Sequence, residues 1–258
     1  MRVFASTVFS LTLSAASAVA VAAPSPVAEY AFNNNSFASS VSGAPALQEV
    51  NPLGTSGFGS DFVIDGVRNV YHFNGARANA DQAGLSLDVA GLLASNSLYS
   101  VEIVFKFTES ENAWRRIMDV QNRQSDNGFY VDPSNRLDIY PVAGGAPFSN
   151  DVYHDVFLSN DNGVFKFYLD GSAQASVTTS VMNIDSNNRL NFFLDNIVGG
   201  GQQEYSSGSV ALIRLYDVAI AEGDIPTLPP IPEPSSWALL LAGLGVVGVI
   251  TRRRVRAV

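Results

Sequence analysis

Residues 99–107 alternate between apolar and mostly polar side chains with a period of two. The apolar positions are Val101, Ile103, Phe105 and Phe107. Because successive side chains of a strand point to opposite faces, this pattern predicts a β-strand with one buried face. The segment therefore constrains the chain to a fold that contains β-sheet.

The same alternation recurs in the second half of the chain, in residues 164–169, 190–194 and 211–215. Turn-forming pairs such as Asn162-Gly163 and Asp170-Gly171 lie next to these segments, and similar turn-forming residues recur about every 10–20 residues. Short strands at this spacing predict an all-β sandwich. Leu85–Ala94 could form either a helix or a strand followed by a loop, and the sequence leaves both alternatives open.

Both ends of the chain have the composition of targeting segments. Arg2 precedes an apolar and small-residue stretch, Val3–Ala23, which contains A-x-A sites and predicts a cleaved secretory signal. At the other end, the uncharged run Ser235–Thr251 is followed by an arginine cluster. That run is about 25 Å long as a helix, short for a hydrocarbon core of about 30 Å. Positive charge beside an apolar segment stays cytoplasmic, so the tail predicts an export orientation for everything before Pro232.

The remaining chain is acidic and contains no cysteine. Residues 24–234 have 10 basic and 24 acidic side chains, a net charge of 10 − 24 = −14. Phosphate binding needs clustered Lys and Arg, so this balance argues against a nucleic-acid partner. Without cysteine the chain has neither a disulfide framework nor a thiol nucleophile.

The C-terminal pattern resembles the PEP-CTERM sorting signal of Gram-negative bacteria. The resemblance covers residues 232–256 and depends on a Pro-Glu-Pro motif, an apolar helix and basic residues at the end. The residues that match the signal are Pro232, Glu233, Pro234, Arg252, Arg253 and Arg254. The resemblance implies recognition and cleavage by an exosortase, a membrane cysteine protease. It also implies a protein held at the membrane facing the periplasm or exterior and then found at the cell surface or outside the cell. A plain C-terminal anchor is the alternative, but it gives the Pro-Glu-Pro motif no role.

The middle of the chain resembles a LamG-like, concanavalin A-like domain. The matching segments are Val27–Phe32, Tyr71–Gly75, Tyr153–Leu158 with Val164–Gly171, and Val210–Ile225. The resemblance implies a jelly-roll sandwich of two antiparallel sheets, with the N- and C-terminal strands side by side. Its motifs are mostly core and turn positions, so they indicate fold more strongly than function.

These observations predict five segments and a fold class of all-β sandwich plus one C-terminal transmembrane helix. The segments are a signal peptide (1–23), a LamG-like β-sandwich (24–228), a Pro-rich spacer with the Pro-Glu-Pro motif (229–236), a transmembrane helix (237–251) and a basic cytoplasmic tail (252–258). The helix would attach the protein to the membrane before processing.

The sequence predicts no catalytic residues. Hydrolases of this fold need two carboxylates at a fixed separation, and no strand shows the Glu-x-Asp-x-x-Glu spacing; Glu102, Glu109 and Glu111 are interpreted as surface carboxylates. His72 and His154 are interpreted as structural. We therefore expect a protein that is not an enzyme, with a glycan hydrolase or lyase as the alternative and a ligand-free surface protein as a third.

Calcium is implied by the resemblance at the rim of the sandwich, but the chain departs from the usual pattern twice. Ser39-Ser40 and Ala211-Leu212 stand where the family commonly has Asp. The loops at 125–128 and 160–163 contain oxygen ligands, yet Asp-Asn-Gly clusters are first of all turn formers. The sequence therefore predicts no cofactor and no assigned metal ligand, and leaves calcium open.

Carbohydrate binding is the functional hypothesis that the sequence favours. Trp114 and Arg115 lie in a segment between strands, and Tyr140 follows another strand, so these residues are the candidate ligand-binding set. Aromatic faces stack on sugars, and an arginine can bind hydroxyls. The alternative is that Trp114 covers an edge of the sandwich and the arginines pair with acids. The expected partner is an extracellular polysaccharide.

Overall fold

The computed structural model describes residues 24–109, 113–198 and 203–226. These residues form 15 strands and two single-turn 3-10 helices, Asn33–Asn35 and Glu222–Asp224. The strands are β1 (Ala28–Tyr30), β2 (Gln48–Val50), β3 (Gly57–Val63), β4 (Gly66–Phe73), β5 (Gly84–Asp88), β6 (Leu98–Phe107), β7 (Arg115–Asp119), β8 (Phe129–Val131), β9 (Arg136–Ile139), β10 (Val142–Pro147), β11 (His154–Asp161), β12 (Val164–Leu169), β13 (Ser172–Thr178), β14 (Arg189–Phe192) and β15 (Gly208–Tyr216).

The strands form two antiparallel sheets, as the sequence predicts. The back sheet has the order β13-β12-β11-β6-β15-β4-β3, with β1 also paired to β15. The front sheet has the order β10-β9-β8-β7-β14-β5-β2. Ala28 of β1 lies opposite Leu215 of β15, which confirms the expectation that the first and last strands are neighbours.

The core lies between the sheets and contains the alternating residues of β6. Val101, Ile103, Phe105 and Phe107 are all buried in it, which confirms the interpretation of residues 99–107 as a strand. Aromatic rings fill the middle of the layer: the rings of Phe73 and Phe193 stack with centroids 4.0 Å apart. Burial of these side chains is the main favourable contribution to folding.

Tight turns connect the strands at the Gly-containing pairs. Asp170 and Gly171, between β12 and β13, both have positive φ (50° and 76°). Asn162 and Gly163, between β11 and β12, also have positive φ (51° and 92°). Two residues with left-handed φ form the turn that matches the twist of a hairpin, so the predicted turns are confirmed. The ambiguous segment at 85–94 begins as strand β5 and continues as a turn, so the strand alternative is the one the structure adopts.

The outer face of the back sheet carries a buried ionic cluster that the sequence interpretation missed. Glu102 is completely buried, so its interpretation as a surface carboxylate is wrong. Its Oε2 accepts from Arg214 Nη1 (3.1 Å) and from Tyr216 Oη (3.2 Å), and Arg214 Nε donates to Glu29 Oε2 (2.7 Å). The alternation correctly placed Glu102 on the face of β6 that points away from the core. It did not show that other residues cover this face as well.

The last described residues cover part of that face. Ile220 packs with Phe157, Tyr168 and Tyr216 in a buried cluster, with Ile225 against it. Ser100 Oγ donates to the carbonyl of Val218 and accepts from the Ile220 amide, which fixes residues 218–220 on β6. β6 is consequently buried on both faces, and its polar residues have partners inside the protein.

The targeting segments, the Pro-rich spacer and all six residues of the sorting motif lie outside the described residues. Their bounds, and the domain boundaries at 24 and 228, stay predictions. Within the described ranges, no helix is long and apolar enough to cross a membrane.

We expect Glu102→Ala to lower the free energy of unfolding by about 3 kcal/mol, because it leaves the buried Arg214 guanidinium without one of its two carboxylate partners. Urea denaturation measures this change. Glu222→Ala, at an exposed position, is the control. A change below about 0.5 kcal/mol for Glu102→Ala would contradict the role assigned to the cluster.

We also expect the protein to lose stability as the pH rises from 6 to 9. Burial, together with the nearby carboxylates Glu102 and Asp170, raises the pKa of Asp155 to about 8. A carboxyl whose pKa is raised by folding binds a proton more tightly in the folded state, so its contribution is lost as the pH rises through that value. Thermal melts at both pH values test this, and Asp155→Asn should reduce the difference. An equal or higher melting temperature at pH 9 would contradict it.

Candidate functional site

Three aromatic side chains meet on the outer face of the front sheet. The Trp114 ring lies 5.4 Å from the Tyr130 ring and 6.2 Å from the Tyr140 ring, centroid to centroid, with both contacts edge-to-face. Tyr140 is 73% exposed. The structure thus brings together two of the three residues singled out in the sequence, and adds Tyr130.

Strand register explains why these residues meet. Trp114 directly precedes β7, and Tyr140 directly follows β9. Between them, Tyr130 on β8 pairs with Arg116 on β7 and with Asp138 on β9. Since alternate residues of a strand share a face, β7, β8 and β9 place this aromatic set on one side of the front sheet.

The aromatic set borders a cleft of about 740 Å³. Loops from distant parts of the chain complete it. The lining residues are Arg77, Ala113, Trp114, Asp126, Asn127, Gly128, Tyr130, Pro133, Tyr140, Val181, Gln203, Glu204 and Tyr205. A cleft of this size with aromatic walls and a few polar groups is typical of small-molecule and oligosaccharide sites.

Arg116 lies buried beside this cleft and connects its loops. Its five N–H groups all donate hydrogen bonds. Nε and Nη2 donate to Glu204 Oε2 (3.2 and 2.6 Å), and Nη2 also donates to Asn196 Oδ1 (2.9 Å). Nη1 donates to the carbonyls of Ser125 (3.1 Å) and Asn127 (3.4 Å). The guanidinium carbon lies 4.9 Å from the centre of the Tyr130 ring, a cation–π contact.

Four carboxylates surround this guanidinium. Besides Glu204, the nearest oxygens of Asp119, Asp195 and Asp126 lie 3.5, 3.6 and 3.7 Å from Arg116 nitrogens. Asp195 accepts from the backbone amides of Gln203 and Glu204, and so fixes the loop that carries Glu204. The arrangement groups four carboxylates around one guanidinium beside the aromatic set.

Burial changes the proton affinity of these groups. Desolvation raises the pKa of Glu204 to about 7, although Arg116 opposes the rise. Burial alone would lower the pKa of Arg116, but Tyr130, Glu204 and Asp195 raise it above its usual value, so the guanidinium stays charged. The cluster therefore holds a permanent cation beside a carboxyl that titrates near neutral pH.

Asp126 and Glu204 are two carboxylates that line the same cleft. Asp126 is half exposed, and no hydrogen-bond donor of the described residues reaches its carboxylate; its ion contact is with Arg116. Because both acids contact Arg116 Nη2, at 3.7 and 2.6 Å, their nearest oxygens are at most about 6 Å apart, a limit that admits the ~5–5.5 Å separation of retaining glycosidases.

Asp138 is a third acid on this face of the front sheet. It is 4% exposed, and no described residue donates a hydrogen bond to its Oδ1. Burial, with a smaller contribution from Asp132, raises the pKa of Asp138 to about 6. Its position opposite Tyr130 in the strand register places it next to the aromatic set.

Arg115 does not join the cleft. Its side chain is fully buried, donates to the Glu109 carbonyl (3.2 Å) and to the side chains of Asn135 and Asn150, and lies against the Phe107 ring. The cleft arginine is Arg77, from the loop between β4 and β5, which was not predicted. The alternation of side chains along a strand could have distinguished Arg115 from Arg116, since Trp114 and Arg116 lie two residues apart and share a face.

The two histidines lie elsewhere in the sandwich. His72 Nδ1 is 2.7 Å from Ser209 Oγ, and His154 Nδ1 is 2.7 Å from Asp170 Oδ2. Neither residue lines the cleft. Among the residues that the structure describes, no three His, Asp or Glu side chains are grouped so that they could hold a metal ion.

Solved structures share this fold at low sequence identity. Domain 4 of AbnA, a GH43 extracellular arabinanase from Geobacillus stearothermophilus solved in complex with arabinotriose, has a TM-score of 0.57 and 18% identity, over 78% of this chain and 97% of that one. The binding domain of botulinum neurotoxin serotype D/C has a TM-score of 0.52 and 11% identity, over 77% of this chain and 50% of that one. At these identities the likeness establishes the fold alone.

Sequence comparison gives the family. No curated protein sequence matches this chain. The PEP-CTERM protein-sorting motif matches residues 230–254, and it indicates export and membrane-anchored sorting in Gram-negative bacteria, with processing by an exosortase. The profile of the concanavalin A-like lectin/glucanase superfamily matches residues 79–226, more than half of the chain. The chain therefore belongs to the concanavalin A-like lectin/glucanase superfamily and carries a PEP-CTERM sorting motif.

Proposed function

We propose that this is a non-enzymatic protein of the cell surface or extracellular matrix that binds polysaccharide in the cleft bordered by Trp114, Tyr130 and Tyr140. The observation that carries the proposal is the aromatic cleft. Sugar rings present apolar C–H faces that pack on aromatic rings, while their hydroxyls need polar partners. Tyr140, 73% exposed, offers such a surface, and Asn127 and Gln203 provide amides beside it.

The comparison with AbnA supports this proposal. Its domain 4 was solved with arabinotriose, so a sandwich of this fold holds an oligosaccharide in that protein. For the present chain, we infer an oligosaccharide in the cleft of the front sheet from its own residues. Pockets of similar volume bury most of a ligand of a few sugar rings.

The sorting motif supports the extracellular part of the proposal. A protein that is exported and released from its membrane anchor meets the polysaccharide outside the cell. The acidic, cysteine-free composition suits a soluble module in that location, because excess charge of one sign keeps proteins dispersed.

A second candidate function, glycan hydrolysis, is favoured by one observation. Asp126 and Glu204 line the same cleft with their nearest oxygens at most about 6 Å apart, a limit that admits the ~5–5.5 Å separation of retaining glycosidases, and burial raises the pKa of Glu204 to about 7. Against it, Glu204 Oε2 accepts two hydrogen bonds from Arg116, which stabilise the carboxylate and not the protonated acid. Reducing-sugar release that Glu204→Gln abolishes would replace the binding proposal by this one.

We expect Trp114→Ala and Tyr140→Ala each to weaken polysaccharide binding by about tenfold, since each removes an aromatic contact of the cleft. Glycan-array screening, followed by calorimetry with the best ligand, measures this loss. The assay is run with and without calcium, and reducing-sugar release is read from the same samples.

Phe62→Ala is the matched control. Phe62 is a 66% exposed aromatic residue on the β3–β4 hairpin of the back sheet, so its loss should leave affinity unchanged. Equal effects of all three substitutions would place the ligand elsewhere. Absence of any glycan ligand would leave a structural surface protein.

Replacement of Pro232-Glu233-Pro234 by alanines should block processing and leave export intact, because the apolar segment and the arginines are unchanged. Mass spectrometry of the exported protein, with cell fractionation, measures the result. The matched control replaces Pro226 and Pro229, which precede the matched residues 230–254. An unchanged mature mass and location for the motif variant would overturn the sorting assignment.

A further inference from the structure

We propose that the cleft selects uncharged glycans and rejects chains that carry carboxylate or sulfate groups. The inference rests on the proposed function, since it names the chemical class of the ligand in the same cleft. The inference follows from the charged residues that line the cleft and from the hydrogen-bond donors of these residues that other protein groups already occupy.

The lining of the cleft carries excess negative charge. Asp126 and Glu204 contribute two carboxylates, and Arg77 is the one basic residue among the described residues that line the cleft. Asp195 and Asp119 add two buried acids close behind, against the guanidiniums of Arg116 and Arg123. Counting the cluster with Arg77, four acids face three arginines when all are ionised.

Arg116 has no donor left for an anionic ligand. Each of its five N–H groups already donates to Glu204, Asn196 or the carbonyls of Ser125 and Asn127. Recognition of a sugar carboxylate or sulfate by arginine depends on paired N–H donors that point at the anion. All hydrogen-bond donors of the buried Arg116 are therefore occupied by acceptors within the protein.

Arg77 cannot replace Arg116 as a strong binding group for an anionic sugar. It is exposed, and its Nε donates to Gln203 Oε1. An exposed cation acts through water of high dielectric constant, where one ion pair contributes little. An anionic sugar at Arg77 would also lie in the field of Asp126 and Glu204.

The half-exposed Asp126 carboxylate favours hydroxyl-bearing ligands. No hydrogen-bond donor of the described residues reaches it, and its ion contact with Arg116 is 3.7 Å long. A sugar hydroxyl can donate to such an oxygen, whereas the carboxylate group of an ionised uronate has no proton to donate and is repelled there. The surface charge acts in the same direction, because the net charge of −14 over residues 24–234 repels a polyanion at low ionic strength.

Protonation of Glu204 should tune this selectivity. The charged and titratable groups that face it are Arg116 from β7, Tyr130 from β8, Asp126 from the loop between them, and Asp195 from the loop after β14. Arg116 stays charged, so Glu204 is the group of this set that titrates near pH 7. Rejection of anionic chains should therefore strengthen between pH 6 and pH 8.

The test uses the full-length protein with arabinan, galactan, glucan and mannan, each paired with a derivative whose primary hydroxyls are oxidised to carboxylates. We expect binding to at least one neutral polymer and at least tenfold weaker binding to its oxidised partner. Equal or tighter binding of the oxidised polymer, with the loss on Trp114→Ala retained, would overturn the selectivity and leave the proposed function intact. Binding to none of the polymers, neutral or oxidised, would overturn both.

Asp126→Asn tests the mechanism, because no hydrogen-bond donor among the described residues reaches the Asp126 carboxylate. We expect it to reduce the neutral-to-oxidised affinity ratio at least threefold. Asp224→Asn removes one charge from the 3-10 helix on the outer side of the back sheet and should leave the ratio unchanged. In the wild type the ratio should rise from pH 6 to pH 8, and in Glu204→Gln the rise should be clearly smaller, with Asp138 as the remaining group that titrates near this range. Equal ratios for Asp126→Asn and Asp224→Asn would contradict the assignment to the cleft.

Discussion

The cleft depends on one buried cation. Arg116 lies on β7, and its hydrogen bonds reach the loop at 125–127 and the segment that carries Asn196 and Glu204. A buried guanidinium is stable only if each N–H has an acceptor and its charge is balanced, so these loops are held where the acceptors are needed. The same residue supports the Tyr130 ring from one side. Arg116 therefore contributes to the shape, the aromatic surface and the charge of the cleft.

The sandwich contains a comparable cluster on its other sheet, where Arg214 pairs with Glu102 and Glu29. Its consequence differs. Residues 216–225 fold over part of that face, and the Arg214 cluster joins β1, β6 and β15 within the back sheet. On the front sheet the corresponding outer face stays accessible beside Trp114 and Tyr140. The fold thus covers part of one outer face and leaves the other accessible at this cleft.

The sequence predicted the sheets and turns well, because alternation and Asp-Gly or Asn-Gly pairs are local signals. It also brought Trp114 and Tyr140 into one hypothesis. The sequence analysis selected Arg115 and not Arg116, because two adjacent arginines cannot be told apart until it is known which residues of the strand face outward. Glu204 was missed since it meets Arg116 across 88 positions, and no local pattern reports such a contact. Glu102 was misjudged because alternation does not tell whether the second face of a strand is also covered.

The most direct test of a ligand in this cleft uses the fluorescence of Trp114. The chain contains two tryptophans, so Trp237→Phe leaves Trp114 as the only indole. The fluorescence of this variant is titrated with the glycan that binds in calorimetry. We expect a saturable change in emission with the calorimetric affinity, because the sugar covers the indole. Binding in calorimetry with unchanged emission would place the ligand away from Trp114 and contradict the assignment of the site.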